Sequence, residues 1–170
     1  MQPLLDEHAH LAPRIEALAE AGDAVGSAEL AALRGRVDDV LAFLLHHLLP
    51  HATAEEAVLY PAVERLLGPG TTATMTDDHV EIQRLVQQLA GLRECLVLAE
   101  SVDDDMAAQL RRVLYGLAAV VRLHLSKEEV VFVPALEAGL APCEAEAMLE
   151  RMEAAAFHAQ ARAAGEPATV

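Results

Sequence analysis

The chain has 170 residues, with 12 basic against 27 acidic side chains, a formal net charge of −15, and a composition that is 54% apolar and 3% aromatic. That length predicts one domain with a core of Ala, Leu and Val. The acidic excess repels phosphate backbones and anionic lipid, which sets nucleic acid and the membrane surface aside as partners and leaves cations, metals or protein.

The opening MQPLLDEHAH lacks a basic n-region and an uninterrupted apolar h-region, and no apolar run approaches the ~18 residues of a membrane span. A soluble, cytoplasmic protein is expected. Apolar residues recur at spacings of three and four from Pro3 to Ala164, with no strand-like alternation, so the fold class is all-α. A first helix ends at Gly22–Gly26, and Pro13 is expected to bend it. A second runs to the GPGTT break at Gly68–Thr72, a third to Glu100–Asp103 with Ser101 as the expected cap, and a fourth to Gly139–Pro142. A fifth helix, about Pro142 to Ala164, carries Ala145, Met148, Leu149, Met152 and Ala156 on one face, with His158 solvated and the tail GEPATV frayed. The expected organisation is a metal-binding four-helix bundle over 1–140, with a C-terminal helix and tail over 141–170 packed on the same domain. Cys95 and Cys143 lie far apart without CxxC spacing, which fits a reducing compartment and argues against a disulfide or thiolate site.

The chain also resembles itself. DEHAHLAPRIEAL from Asp6 aligns with DDHVEIQRLVQQL from Asp77, and HATAEEAVLYP from His51 with HLSKEEVVFVP from His124. Each half supplies a helix with a His near its start, then a helix with His, Glu four later and Pro ten later. An antiparallel hairpin places His79 and His124 at one height.

On the fourth helix Leu110, Leu114, Leu117, Val121, His124, Glu128, Val131 and Ala135 step by four and three, the seam of a bundle. The second helix gives Val37, Leu41, Leu44, Leu48, His51, Glu55, Val58 and Ala62. The third gives Met75, His79, Ile82, Val86 and Leu89, and the first Leu4, His8, Leu11, Ile15 and Leu18, which selects His8 over His10. Four imidazoles and two carboxylates thus converge inside a core of Leu, Val and Ala, where an unpaired charge costs several kcal/mol. A bound metal removes that penalty. The predicted ligands are His8, His51, Glu55, His79, His124 and Glu128. Bridging carboxylates would give about four bonds to each of two metals and leave octahedral positions open, which suits iron, with zinc, manganese and mixed occupancy as alternatives. His10 and His47 are expected at the rim, Glu56 and Glu129 on solvated faces, Glu7 and Asp78 at helix ends or orienting imidazoles, and Tyr60 as packing in preference to donating to a bridging carboxylate or to bound oxygen, because its counterpart is Val133.

The order His, His-x-x-x-Glu, His, His-x-x-x-Glu, with Pro after each EE pair, resembles the hemerythrin-like, or HHE cation-binding, family from about Leu4 to Leu136. The resemblance implies a left-handed up-down-up-down bundle around an oxo- or hydroxo-bridged non-haem di-iron centre. It further implies Glu55 and Glu128 as bridges, the four histidines as terminal ligands, and dioxygen, nitric oxide, peroxide or iron as what the protein binds or answers to. Oxygen carriers of the family have a further His where Met75 stands, and some iron-sensing relatives a Glu where Ala52 stands, which puts reversible oxygen transport in doubt. The expected roles are sensing, iron handling or peroxide removal. The alternative is a helical interaction module stiffened by zinc or a single metal, and a ferritin-like oxidase is disfavoured by the ligand order. No DNA-binding, kinase or cyclic-nucleotide segment is expected within this length, so a sensor would act through a protein partner or a homodimer.

Overall fold

The computed structural model describes residues 1–163; the predicted frayed tail lies outside them. Five helices account for the described fold, and no strand occurs among the described residues. Helix α1 spans Gln2–Ala24 and runs unbroken through Pro13. Helix α2 is one rod assembled from Leu30–Phe43, Leu49–Ala54 and Tyr60–Leu67, joined through π-helical turns at Leu44–Leu48 and Glu55–Leu59. Helix α3 spans Ala73–Leu98. Helix α4 is Asp104–Lys127 continued through a π turn at Glu128–Phe132 into Val133–Gly139. Helix α5 spans Pro142–Ala163. Its start matches the sequence expectation. The cap of α4 is a correction: Asp103, not Ser101, accepts from the Met106 amide at 2.8 Å, because only Asp103 sits at the N-cap with its side chain three residues before that donor.

Helices α1 to α4 form a ring in which α1 packs on α2 and α4, and α3 on α2 and α4. Short connections make chain neighbours antiparallel, so the bundle runs up-down-up-down. Helix α5 lies along the middle of α2, from Leu44 to Leu59. Two glycine contacts explain how the ends close. Gly68 takes φ 107°, the left-handed turn that releases the chain from α2. A Cβ on Gly139 would lie 2.6 Å from a Leu66 methyl, so the tips of α2 and α4 meet only because that side chain is absent.

The core has two apolar parts. One, around Leu18, Leu33, Leu44, Leu89, Leu110 and Leu114, fills the end nearer the α3–α4 turn. The other, around Leu4, Leu59, Met75, Leu136, Met148 and Met152, fills the opposite end under α5. A polar layer lies between them. His8 falls between Leu4 and Leu11, His51 between Leu48 and Ala54, and His79 between Met75 and Ile82, with Leu4, Ala54 and Met75 on the α5 side of the layer and Leu11, Leu48 and Ile82 on the other.

The π turns move the seam. Beyond Glu128 the sequence pattern predicts Val131 inside, but Val131 is 47% exposed, while Phe132 and Leu136 are buried. On α2 Leu59 and Val63 likewise take the interior that the pattern gave to Val58. Each π turn ends two residues before a proline, with the i+5 bonds Leu49 N–H to Leu44 O, Tyr60 N–H to Glu55 O and Val133 N–H to Glu128 O. Pro50, Pro61 and Pro134 have no N–H, and their rings would strike the carbonyl four residues back in a regular helix. Widening the preceding turn by one residue relieves that clash and rotates everything after it.

The turn between α3 and α4 is held from α2. Arg34 donates to the carbonyls of Leu96 at 3.0 Å, Val97 at 3.1 Å and Ala99 at 2.7 Å, satisfying acceptors that the end of α3 leaves free. Arg34→Ala is expected to lower the free energy of unfolding by about 2 kcal/mol, read from urea denaturation. A loss below about 0.5 kcal/mol would show that water serves those carbonyls equally well.

Candidate metal centre

The six side chains that the seam analysis singles out lie together in the polar layer. His8, His51, Glu55, His79, His124 and Glu128 are each at most 3% exposed, and among the described residues the buried polar side chains are these six and Thr72. Helix α1 brings His8, α2 His51 and Glu55, α3 His79, and α4 His124 and Glu128. The two carboxylates begin π turns, so each sits where its helix changes register.

The two carboxylates divide their oxygens between two pairs of imidazoles. Glu55 Oε1 is 2.7 Å from His51 Nε2, and Glu128 Oε2 is 3.6 Å from His8 Nε2. On the other side Glu55 Oε2 is 3.2 Å from His79 Nε2 and 3.7 Å from His124 Nε2, and Glu128 Oε1 is 3.6 Å from His124 Nε2. The ring centroids of His8 and His51 are 5.5 Å apart and those of His79 and His124 4.6 Å. His8 therefore stands level with His51 although α1 carries Pro13. Two ligand-like groups share Glu55: His8, His51, Glu55 and Glu128, and Glu55, His79 and His124.

A ring of carboxylates surrounds these imidazoles. Glu7 on α1 faces His51 Nδ1 on α2 at 3.0 Å, Glu56 on α2 faces His79 Nδ1 on α3 at 2.7 Å, Asp78 on α3 faces His124 Nδ1 on α4 at 3.3 Å, and Glu129 on α4 faces His8 Nδ1 on α1 at 3.1 Å. Each helix thus hands one carboxylate to the histidine of the next, and the circuit closes. An imidazole that donates from Nδ1 keeps its Nε2 lone pair for the centre. Glu7 and Asp78 orient imidazoles, one of the two roles expected of them. Glu56 and Glu129 are exposed, as expected, but each also reaches a histidine of the neighbouring helix, a role not expected of them. The doublet EE in both halves was the available signal.

Tyr60 fills both of the roles weighed for it. Beyond packing, its ring stacks on His79 at 15°, and its hydroxyl lies 3.2 Å from His79 Nε2 and donates to Glu128 Oε1 at 3.2 Å. Burial, then the Glu55 and Glu128 carboxylates, push its ionisation far above the ordinary phenol range, so it remains a donor. Lys127 also bonds Asp78. Its place in the first half is Ala54 and that of Tyr60 in the second is Val133, so both additions fall on the His79–His124 side. Met75 is buried in the apolar cluster below. His10 is exposed, with its Nδ1 on the Asp6 carbonyl at 2.7 Å, and His47 is exposed and stacks on Phe43.

The electrostatics of the layer call for a cation. Burial pushes the Glu128 carboxyl well up, and the Glu55 carboxylate beside it pushes it further. Burial opposes ionisation of Glu55 as well, but His51, His124 and His79 hold it well below the usual carboxylate range. For His51 burial disfavours the charged ring, yet Glu55 and Glu7 outweigh it and raise its affinity for a proton. Among the described residues five buried atoms make no hydrogen bond of acceptable geometry, although His51 Nε2 and Glu55 Oε1 lie 2.7 Å apart: His8 Nε2, His51 Nε2, both oxygens of Glu55 and Glu128 Oε2. All five belong to the divided set, and lone pairs on nitrogen and oxygen converging on one dry layer are the donor set of a metal site.

A bundle with such a layer defines a metal-binding helical protein. The description "Hemerythrin HHE cation binding domain" matches residues 2–94 and again 73–166, and the chain belongs to this family. The two overlapping matches, one per half, agree with the internal repeat. A protein named DNA nickase from Nostoc sp. (strain PCC 7120 / SAG 25.82 / UTEX 2576) is 26% identical over 131 residues, which are 77% of this chain and 34% of that protein. The chain therefore spans about a third of the length of that relative. No solved structure matches the chain. No helix among the described residues is long and apolar enough to cross a membrane.

Two predictions follow from the layer itself. In the presence of a chelator at neutral pH, Glu55→Gln is expected to cost about 3 kcal/mol of unfolding free energy, because it strips buried imidazoles of their counter-charge. Glu128→Gln should cost under about 1 kcal/mol, because burial and the Glu55 carboxylate disfavour the charged form of that carboxyl; denaturant titration giving the reverse order would contradict this ordering of the two carboxylates. Glu56→Ala or Glu129→Ala should weaken metal binding by about 10- to 100-fold with the helical content unchanged, measured by competition with a chromophoric chelator.

Proposed function

We propose that the chain holds two iron ions, His8 and His51 being terminal ligands of one, His79 and His124 of the other, and Glu55 and Glu128 bridging both. The observation that carries this reading is the division of oxygens, in which each carboxylate turns one atom toward each pair of imidazoles. A single tetrahedral zinc on His8, His51, Glu55 and Glu128 would satisfy one group but leave His79 and His124, with Nε2 atoms 3.1 Å apart, buried without a cation. Mixed nitrogen and oxygen ligation favours iron among the metals that such a set accepts.

Six side chains give about eight bonds and leave octahedral positions open, so the centre, when loaded, supplies redox-active Lewis-acid sites for dioxygen, nitric oxide or peroxide. The chain's own residues fix the imidazoles through the carboxylate ring, exclude water with the apolar clusters on both sides, and present the Tyr60 O–H as a hydrogen-bond donor on the His79–His124 side. With Met75 standing where carriers have a histidine, we assign sensing, iron handling or peroxide removal in preference to oxygen transport, in a cytoplasmic setting. Output from a sensor of this kind would pass to a protein partner or a second copy. The name of the Nostoc relative assigns DNA nicking to that longer protein. For this chain we assign the shared segment to metal binding, because a net charge of −15 opposes contact with a phosphodiester backbone.

Metal analysis of protein purified without added metal, with its near-ultraviolet spectrum in air, is the direct test. About two irons per chain with bridge charge-transfer bands are expected. Glu128→Ala should then retain at most one, and a variant that still holds two irons would overturn the bridging assignment. One zinc per chain would favour the interaction-module reading, and relaxation of supercoiled plasmid by the purified chain would overturn the exclusion of DNA.

A further inference from the structure

Helix α5 does not seal against α1 and α2 along its whole length. Between the three helices runs an open groove of about 920 Å³. Its inner wall includes His51 and Ala54, both buried residues of the layer and its margin. Five carboxylates line it, Asp6 and Glu7 from α1 and Glu146, Glu150 and Glu153 from α5, together with His10, His46 and His47. No lysine or arginine is among the lining residues. A cavity of about 310 Å³ near Arg65 and Arg151 has basic side chains in its wall and touches none of the six residues of the centre.

We infer that this groove is the route by which divalent cations pass from solvent to the buried centre, with Glu7 as the positioning residue at its inner end. The inference rests on the metal-binding reading above and deepens it. Glu7 has 48% of its side chain exposed while its carboxylate bonds His51 Nδ1, so one side chain touches both solvent and a residue of the layer. The His51 ring carries on its other edge an Nε2 that makes no hydrogen bond of acceptable geometry. The remaining three carboxylates of the ring also reach solvent, but none of them lines this groove. A concave wall of one sign concentrates counter-ions and focuses their approach. Oxygen donors at the mouth and imidazoles further in offer a cation successive partial replacements for its hydration water, which lowers the cost of entering a dry layer. His10, His46 and His47, which the centre itself does not use, acquire a function by this assignment.

The test is the rate at which the full chain, freed of metal by chelation and checked for helicity, takes up cobalt(II), followed by stopped-flow absorbance. The variant Glu146→Gln, Glu150→Gln, Glu153→Gln alters only exposed positions on α5. It should take up cobalt about tenfold more slowly at low salt, with a weaker dependence on ionic strength, and reach the same stoichiometry and final spectrum. Ala156→Phe, which narrows the groove without changing charge, should slow uptake as well. A control variant, Glu100→Gln, Asp104→Asn, Asp105→Asn, removes the same charge about 30 Å from the centre by helix rise and should behave as wild type. Uptake by the groove variant at the wild-type rate overturns the route, as does equal slowing by the control, which would make the effect one of overall charge. A wild-type chain that takes up no cobalt overturns the reading of the centre, and the route with it.

Discussion

Four imidazoles and two carboxylates placed across the middle of an apolar bundle are the constraint to which the rest of the structure answers. Such a layer is unfavourable unless its charges are neutralised and its donors and acceptors are held. The molecule meets the second requirement from the protein side with one carboxylate per histidine, each supplied from a neighbouring helix. The first it meets only in part, the Glu55 carboxylate raising the proton affinity of His51 and Glu128 beside it. The apolar clusters above and below then keep water from doing the rest. Folding and metal binding are accordingly linked, since a group that binds the folded layer and not the unfolded chain adds its binding free energy to stability.

Much of this was legible in the amino-acid sequence, for a simple reason. A seam that steps by three and four tolerates a polar residue only where something balances it, so His8, His51, Glu55, His79, His124 and Glu128 stand out against Leu and Val. What could not be read is whatever depends on the exact turn of the helix. Val131 was expected inside and is exposed, because the π turn ahead of Pro134 adds a residue and rotates the seam onto Phe132 and Leu136. Glu56 and Glu129 follow the inward carboxylates and so were assigned outward, yet the same wide turns that begin at Glu55 and Glu128 leave them facing histidines on the neighbouring helices. Tyr60 was weighed as a donor to a carboxylate but ranked as packing, because the repeat puts Val133 in its place.

The two halves are alike in their histidines and unlike around them. The His79–His124 side has the Tyr60 hydroxyl and the Lys127–Asp78 pair; the His8–His51 side has α5 and the acidic groove. A neutral donor and a fixed cation on one side and a field of carboxylates on the other make the two positions chemically inequivalent. A cation is held more readily where the surrounding charge is negative, and an anionic or polarised small ligand where a hydrogen-bond donor and a lysine are near. The repeat thus supplies a symmetric set of histidines and glutamates, and the departures from the repeat make the surroundings of its two halves unlike.

The closed circuit of carboxylates also makes each half of the chain depend on the other. Within α1 and α2 alone one link is complete, Glu7 to His51, while Glu56 has no histidine to face and His8 no carboxylate. Helices α3 and α4 have the same incomplete inventory, with Asp78 and His124 joined and Glu129 and His79 waiting. A lone hairpin therefore carries half a centre with two loose ends, and two copies turned about a twofold axis tie those ends to each other. The single chain joins two such hairpins through GPGTT at Gly68–Thr72, so the covalent link holds at one effective concentration the two halves that complete each other's circuit. Tyr60, Lys127 and α5 are where the two halves differ.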